Sequence, residues 1–104
     1  MTEEQLVKAL GRGELSALEA LMDRYTPYVS SVVSRILRGR AADTEELTAD
    51  VFLAAWDHRD QLRPGKVKGW LGAVARNRAF NLLRADREAL PLEEDVLLLE
   101  TDGP

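Results

Sequence analysis

The stretch VKGWLGAVARNRAFNLLRADR, residues 67–87, carries the pattern that decides the fold. Val67, Leu71, Val74, Ala75 and Leu82 return at steps of three and four, with Trp70 at the edge, which predicts a helix with one buried stripe. At about 100° per residue, Asn77, Asn81 and Arg84 share a side off that stripe, beside Trp70 and Ala73. Arg76 and Phe80 extend this surface around the helix, while Arg78 falls inside the apolar stripe and is expected to snorkel or pair as a structural residue. An Asn amide both donates to and accepts from base edges, Arg binds phosphate or guanine, and an exposed aromatic stacks on an unpaired base. The same residues also suit a solvated face with two ordinary surface Asn and Phe80 packed under the following segment, and the pattern alone does not choose.

Outward from this helix the chain is helical throughout. Gln61–Gly69, with Pro64, Gly65 and Gly69, reads as a loop. Before it, Asp43 is placed to cap a helix with Glu46 at its third position, and Leu47, Val51, Ala54 and Ala55 form its inward stripe, broadened by Phe52 and Trp56. Earlier still, Leu15, Leu18, Met22, Tyr25, Val29, Val32, Val33 and Ile36 share one face, with a kink or break expected near Thr26 because Pro27 interrupts the helix and Gly39 as its end. A short helix is predicted over Glu3–Leu10, where Thr2 and Gln5 have capping-box spacing and Gly11 and Gly13 follow. With no alternating strand pattern and no internal repeat, the fold class is all-α, a compact helical bundle. Residues 1–87 form the domain, and the acidic residues 88–104 read as a disordered or loosely docked tail or linker, in which Val96–Leu99 could dock.

Composition narrows the function. The net charge of −4 hides an asymmetry: from Arg59 to Arg87 eight cations (Arg59, Arg63, Lys66, Lys68, Arg76, Arg78, Arg84, Arg87) are opposed only by Asp60 and Asp86. The tail then carries six acids and no cation. Phosphates respond to local potential, so the basic segment outweighs the total. With no Cys there are no disulfides or thiolate metal sites, which suits a reducing cytoplasm. No apolar run approaches the roughly 18 residues of a membrane span, and the N-terminus lacks the pattern of a secretory signal; the expected location is the cytoplasm, with no membrane insertion. An enzyme is hard to build from one His, read as a polar or capping residue at His58, and from Ser30, Ser31 and Ser34 with no general base nearby. No cofactor or metal is expected.

With these residues in view, the segment from Trp70 to Arg84 resembles the W-L-x-x-I-A-R-N-x-A-x-D-x-x-R signature of extracytoplasmic-function (ECF) sigma factors of bacterial RNA polymerase. Ala42 through Trp56 is similar to their D-A-E-D-L-x-Q-E-V-F-x-x-A-W segment, and Leu21–Leu37, with Tyr25-Thr26-Pro27-Tyr28-Val29, resembles the preceding family helix. The likeness covers about Glu14–Arg87, in order and spacing. It implies the sigma region 2 fold and a role in recognising and melting the promoter −10 element. By resemblance, Glu45, Glu46, Ala49, Asp50 and Leu53 would meet the clamp coiled coil of RNA polymerase core. Gln61–Gly69 would accept a flipped −10 base, with Lys66 and Lys68 on the nearby backbone. Asn77 and Asn81 would face the upstream part of the single-stranded element, with Arg76 and Arg84 on phosphates and Phe80 beside them.

Two residues depart from the family pattern: Ala49 stands where Gln is usual, removing one clamp hydrogen bond, and Asn81 replaces a common Asp. The family's region 4 helix-turn-helix domain for the −35 element is not among these residues, and the sequence is expected to stop within the interdomain linker. An anti-sigma factor is a further expected partner. The alternative function is a helical protein-interaction module, such as an anti-sigma-binding decoy without promoter activity. The acidic residues from Glu88 to Pro104 could also fold over the basic helix and compete with DNA.

Overall fold

A computed structural model of the chain describes residues 1–89, with side-chain surroundings through Asp86. The expected acidic tail and the docking of Val96–Leu99 lie outside the described residues. Four helices follow one another: α1 (Glu3–Gly11), α2 (Leu15–Leu37), α3 (Ala41–Asp57) and α4 (Val67–Ala89), with a 3-10 turn at Arg59–Gln61. Helix α2 packs against both α3 and α4, and α1 lies against α2 and the 3-10 turn. Tyr28 meets Gly72 and Arg40 meets Asp86, so α2 and α4 run the same way. His58 lies near Trp70, which makes α3 antiparallel to α4.

Local chemistry sets the boundaries. The predicted capping box opens α1: the Gln5 amide donates to the Thr2 hydroxyl at 3.1 Å and the Thr2 amide donates to Gln5 Oε1 at 2.9 Å. Helix α2 ends with Arg38 in the left-handed region (φ 53°) followed by Gly39 at φ 78°. His58 caps α3 and its Nδ1 donates to the Ala54 carbonyl at 3.0 Å.

The structure decides three expectations here. Of the kink or break expected near Thr26, the break does not occur: α2 runs unbroken through Pro27. Pro27 and Asp23 are both solvent-exposed, so the carbonyl four residues back that loses its amide partner is free to be hydrated. Asp43 is not the cap of α3; the helix starts three residues earlier than such a cap would place it, with Arg40 as N-cap, and Asp43 sits in the first turn, 2.6 Å from the Arg40 guanidinium. A carboxylate there still favours the positive end of the helix dipole. Arg78 is exposed rather than part of the stripe.

The reason for the last correction is where the core lies. One cluster joins Leu6 and Leu10 of α1, Leu21, Val29, Val33 and Leu37 of α2, Val51, Phe52 and Ala55 of α3, Leu62, and Val67, Leu71, Ala75 and Ala79 of α4. The buried line of α4 is therefore centred on small residues, Gly72, Ala75 and Ala79, while Val74 and Leu82 are only half-buried. This shift moves Arg78 out to the margin. In α3, Thr44 and Thr48 also turn inward, more deeply than Leu47, which packs partly buried against the core; the Thr48 hydroxyl donates to the Thr44 carbonyl at 2.7 Å, which allows it to be buried.

Candidate nucleic-acid interface

The outward face of α4 lies opposite its buried line. Asn77, Asn81 and Arg84 are all exposed there, and Phe80 keeps 49% of its surface open, which rules out burial under the described helices. The Arg84 guanidinium donates to Asn81 Oδ1, so these two side chains hold one another and the Asn81 amide keeps its donor hydrogens for another partner. Arg76 is also exposed, next to the line where α2 and α4 meet.

That line is closed by Gly72. A Cβ at this position would run into the Tyr28 hydroxyl and come within 3.3 Å of its Cζ. The absence of a side chain lets the hydroxyl end of Tyr28 press close to α4, where its ring receives the Lys68 ammonium 4.7 Å from the centroid. A cation is thus held at the first turn of α4 while its donors stay available.

Between α3 and α4 the chain is shorter in irregular structure than the sequence suggested. Arg59–Gln61 forms the 3-10 turn, and Val67 already begins α4, leaving five residues from Leu62 to Lys66. Leu62 and Val67 are buried and fix both ends. Between them, Arg63-Pro64-Gly65-Lys66 is a type II turn: Pro64 at the first corner, Gly65 at φ 83° at the second, and the Lys66 amide donating to the Arg63 carbonyl at 3.0 Å. Lys66 and Lys68 both stand exposed beside it. Arg59 stacks over Trp56, 4.4 Å from the ring centroid, and donates to the Trp56 carbonyl at 2.8 Å.

Sequence reading missed the group that reaches this turn from the far end of the chain. Glu3 Oε1 accepts from the Tyr25 hydroxyl at 2.6 Å, and Oε2 accepts from the Gly65 amide. The Tyr25 hydroxyl, followed by the Gly65 amide, holds the Glu3 carboxyl below the usual carboxylate range. Burial, followed by the bond to Glu3, pushes the Tyr25 phenol up. No local pattern relates residues 3, 25 and 65; Gly72, by contrast, carried a signal as an isolated glycine inside a helical pattern.

On the other flank, Glu45, Glu46, Ala49, Asp50 and Leu53 lie on one arc of α3. Leu53 is 58% exposed among acids, whereas Asp50 is half-buried. A shallow cleft of about 300 Å³ between α2 and α3, lined by Met22, Thr26, Ser30, Thr48, Ala49 and Phe52 among others, borders this arc. Among the described residues no helix is long and apolar enough to cross a membrane, and no group of three or more acidic or His side chains could hold a metal ion.

The family model for Sigma-70 region 2 matches residues 21–88, and the chain belongs to that family. The curated relatives it matches include sigma factors of the ECF group. The ECF RNA polymerase sigma factor SigK of Mycobacterium sp. (strain KMS) is 29% identical over 101 residues, covering 95% of this chain and 52% of that protein. The ECF RNA polymerase sigma-E factor of Escherichia coli (strain K12) is 29% identical over 104 residues, covering 99% of this chain and 53% of that protein. The chain thus spans about half the length of the curated relatives it matches. An NMR structure of an engineered region 2 of sigmaE in complex with GTAAAA superposes with a TM-score of 0.74 at 29% identity, covering 88% of this chain and 96% of that one. The all-helical fold and the ECF resemblance read from the motifs are both borne out.

Proposed function

We propose that this domain recognises the single-stranded promoter −10 element and helps to melt it during transcription initiation, docked on the clamp coiled coil of RNA polymerase core. The observation that carries the reading is the outward face of α4. Asn77, Asn81 and Arg84 point away from the core, with Arg76 and the half-open Phe80 beside them, on a fold that in the sigmaE region 2 complex holds GTAAAA. In this reading Asn77 and Asn81 read base edges, Arg76 and Arg84 hold phosphates, and Phe80 stacks on an unpaired base. The turn Leu62–Lys66 takes a flipped base, with Lys66 and Lys68 holding the backbone on either side; such contacts offset the cost of unstacking. Glu45, Glu46, Ala49, Asp50 and Leu53 face a basic partner surface on the clamp, an arrangement of charge that favours fast and oriented docking.

No catalytic group is required, because binding energy alone traps the melted strand. The expected setting is the cytoplasm, and an anti-sigma factor would act by covering either face.

The test is binding of single-stranded −10 oligonucleotides to the wild-type chain, Asn77→Ala and Lys66→Ala. Asn77→Ala is expected to relax sequence preference, and Lys66→Ala to weaken binding to all sequences alike with a shallower salt dependence. If neither substitution changes affinity or preference, this placement of the site is wrong.

A further inference from the structure

We propose that Glu3 is a positioning residue for the base-accepting turn, fixing from α1 the orientation of the Pro64–Gly65 peptide. This inference rests on the reading of Leu62–Lys66 as the place where a flipped base is taken. Three observations carry it.

The first is the turn itself. Type I and type II turns differ by a flip of the central peptide, which here joins Pro64 to Gly65. In the type II form the Gly65 amide faces one side of the turn and the Pro64 carbonyl the other. Nothing within a type II turn bonds that amide; Glu3 supplies the acceptor from outside.

The second is the fixing of Glu3. It opens α1 directly after the Thr2 cap, and its two carboxylate oxygens are divided between Tyr25 on α2 and Gly65 in the turn. A carboxylate in the first turn of a helix is favoured by the helix dipole, and both of its bonds are charge-assisted. Leu6 and Leu10 bury α1 in the common core, so the carboxylate is presented from a rigid element.

The third is position. Gly65 precedes Lys66, and Val67 starts α4, so the peptide that Glu3 orients sets where the Lys66 ammonium and the Pro64 carbonyl lie relative to the first turn of α4. Helix α1 precedes the residues matched by the family model, 21–88. The base-accepting turn is therefore braced by a segment outside the part of the chain that defines the family.

The experiment compares the 104-residue chain with Glu3→Ala and Tyr25→Phe. Ala removes both acceptor oxygens, whereas Gln could still accept from the Gly65 amide while its NH2 donates to the Tyr25 hydroxyl. Two quantities are read: hydrogen exchange of the Gly65 amide, and binding of the strongest member of a randomised single-stranded DNA pool together with each of its single-abasic forms. In Glu3→Ala, Gly65 exchange is expected to quicken roughly tenfold, as for a bond opened locally. Binding of the intact oligonucleotide is expected to weaken about three- to tenfold, while the form lacking the flipped base binds both proteins alike. Tyr25→Phe, which leaves the Gly65 bond in place, is expected to keep Gly65 protected.

Unchanged Gly65 exchange in Glu3→Ala overturns the brace. Equal losses for intact and abasic DNA, or equal effects of Glu3→Ala and Tyr25→Phe on both readouts, overturn the positioning role and leave only general packing of α1. A wild-type chain that binds no member of the pool, or that is indifferent to every abasic site, overturns the base-accepting reading of the turn instead, and the positioning role with it.

Discussion

The outer faces of α3 and α4 sit on one core and differ in almost everything else. Inward, both helices contribute to the same cluster, Val51, Phe52 and Ala55 from one and Leu71, Ala75 and Ala79 from the other. Outward, α3 carries Asp43, Glu45, Glu46, Asp50 and Asp57 with no cation, and an exposed Leu53 among them. Helix α4 carries Lys68, Arg76, Arg78, Arg84 and Arg87 against Asp86 and Glu88, with two exposed Asn and Phe80 on its outer side. An apolar residue ringed by acids suits a basic protein surface, and amides with arginines and an aromatic suit unpaired bases. The contrast teaches that the fold is one rigid spacer holding two chemically opposite surfaces at fixed distance. Among the described residues, Asp43 and Asp86 alone are drawn out of this division, both paired with Arg40 at 2.6 Å where the ends of the helices meet.

The comparison predicts first that damage to the shared core removes both surfaces together. Leu71→Ala is expected to destabilise the chain by about 2–5 kcal/mol, measured by urea unfolding, because a fully buried side chain leaves a cavity. Gly72→Val should cost about 1–3 kcal/mol by overpacking against Tyr28. It should also disturb the α4 side selectively: Lys68 loses its seat over Tyr28 while α3 keeps its surface, visible as chemical-shift changes confined to α2 and α4.

Charge substitutions should separate the faces without unfolding either. Arg76→Ala and Lys66→Ala are each expected to lower the salt slope of single-stranded DNA binding by about 0.7, one phosphate apiece. Glu45→Gln with Glu46→Gln should leave that slope unchanged and weaken binding to a polymerase clamp fragment. A slope altered as much by the α3 pair as by Arg76→Ala would erase the proposed division.

A smaller effect follows from Glu3. Its pKa is lower in the folded chain than in the unfolded one, so its contribution to stability is fully present above the unfolded value and is lost as pH falls through the folded one, below the usual carboxylate range. Tyr25 acts at the other end, since a raised phenol pKa gives stability that is present below its unfolded value and lost as pH rises through the folded one. Thermal midpoints should therefore fall at both extremes, and Glu3→Gln should flatten part of the acid limb. The smallest effect is expected for Arg40→Ala. Its bonds to Asp43 and Asp86 are solvent-exposed, so the unfolding midpoint should barely move while exchange of the last amides of α4 quickens.

Much of this molecule was legible in its sequence because helices announce themselves locally. The steps of three and four fixed four helices, the Thr2–Gln5 box fixed the start of α1, and the same angular arithmetic placed Asn77, Asn81 and Arg84 outside the core. Where that arithmetic erred, it had weighted residues by hydrophobicity. Burial in α4 follows closeness of approach, so Gly72 and Ala79 lie deeper than Val74 and Leu82, and Arg78 was assigned to the wrong side. The helix does not break at Pro27 for a related reason: the cost of a missing amide depends on whether the orphaned carbonyl can reach water, which is a property of the surface and not of the residue.

The basic helix at residues 67–87 was thus determined by sequence alone, both as a helix and as an outward surface of amides and arginines. The tertiary structure decided which neighbours hold that surface in place. Tyr28 seated against Gly72 beneath Lys68, Arg40 joined to Asp86, and Glu3 reaching the Gly65 amide all link residues far apart in the chain. Periodicity records which way a side chain faces from its own helix, whereas such pairings depend on how separate elements pack, and that is settled only when the whole core closes.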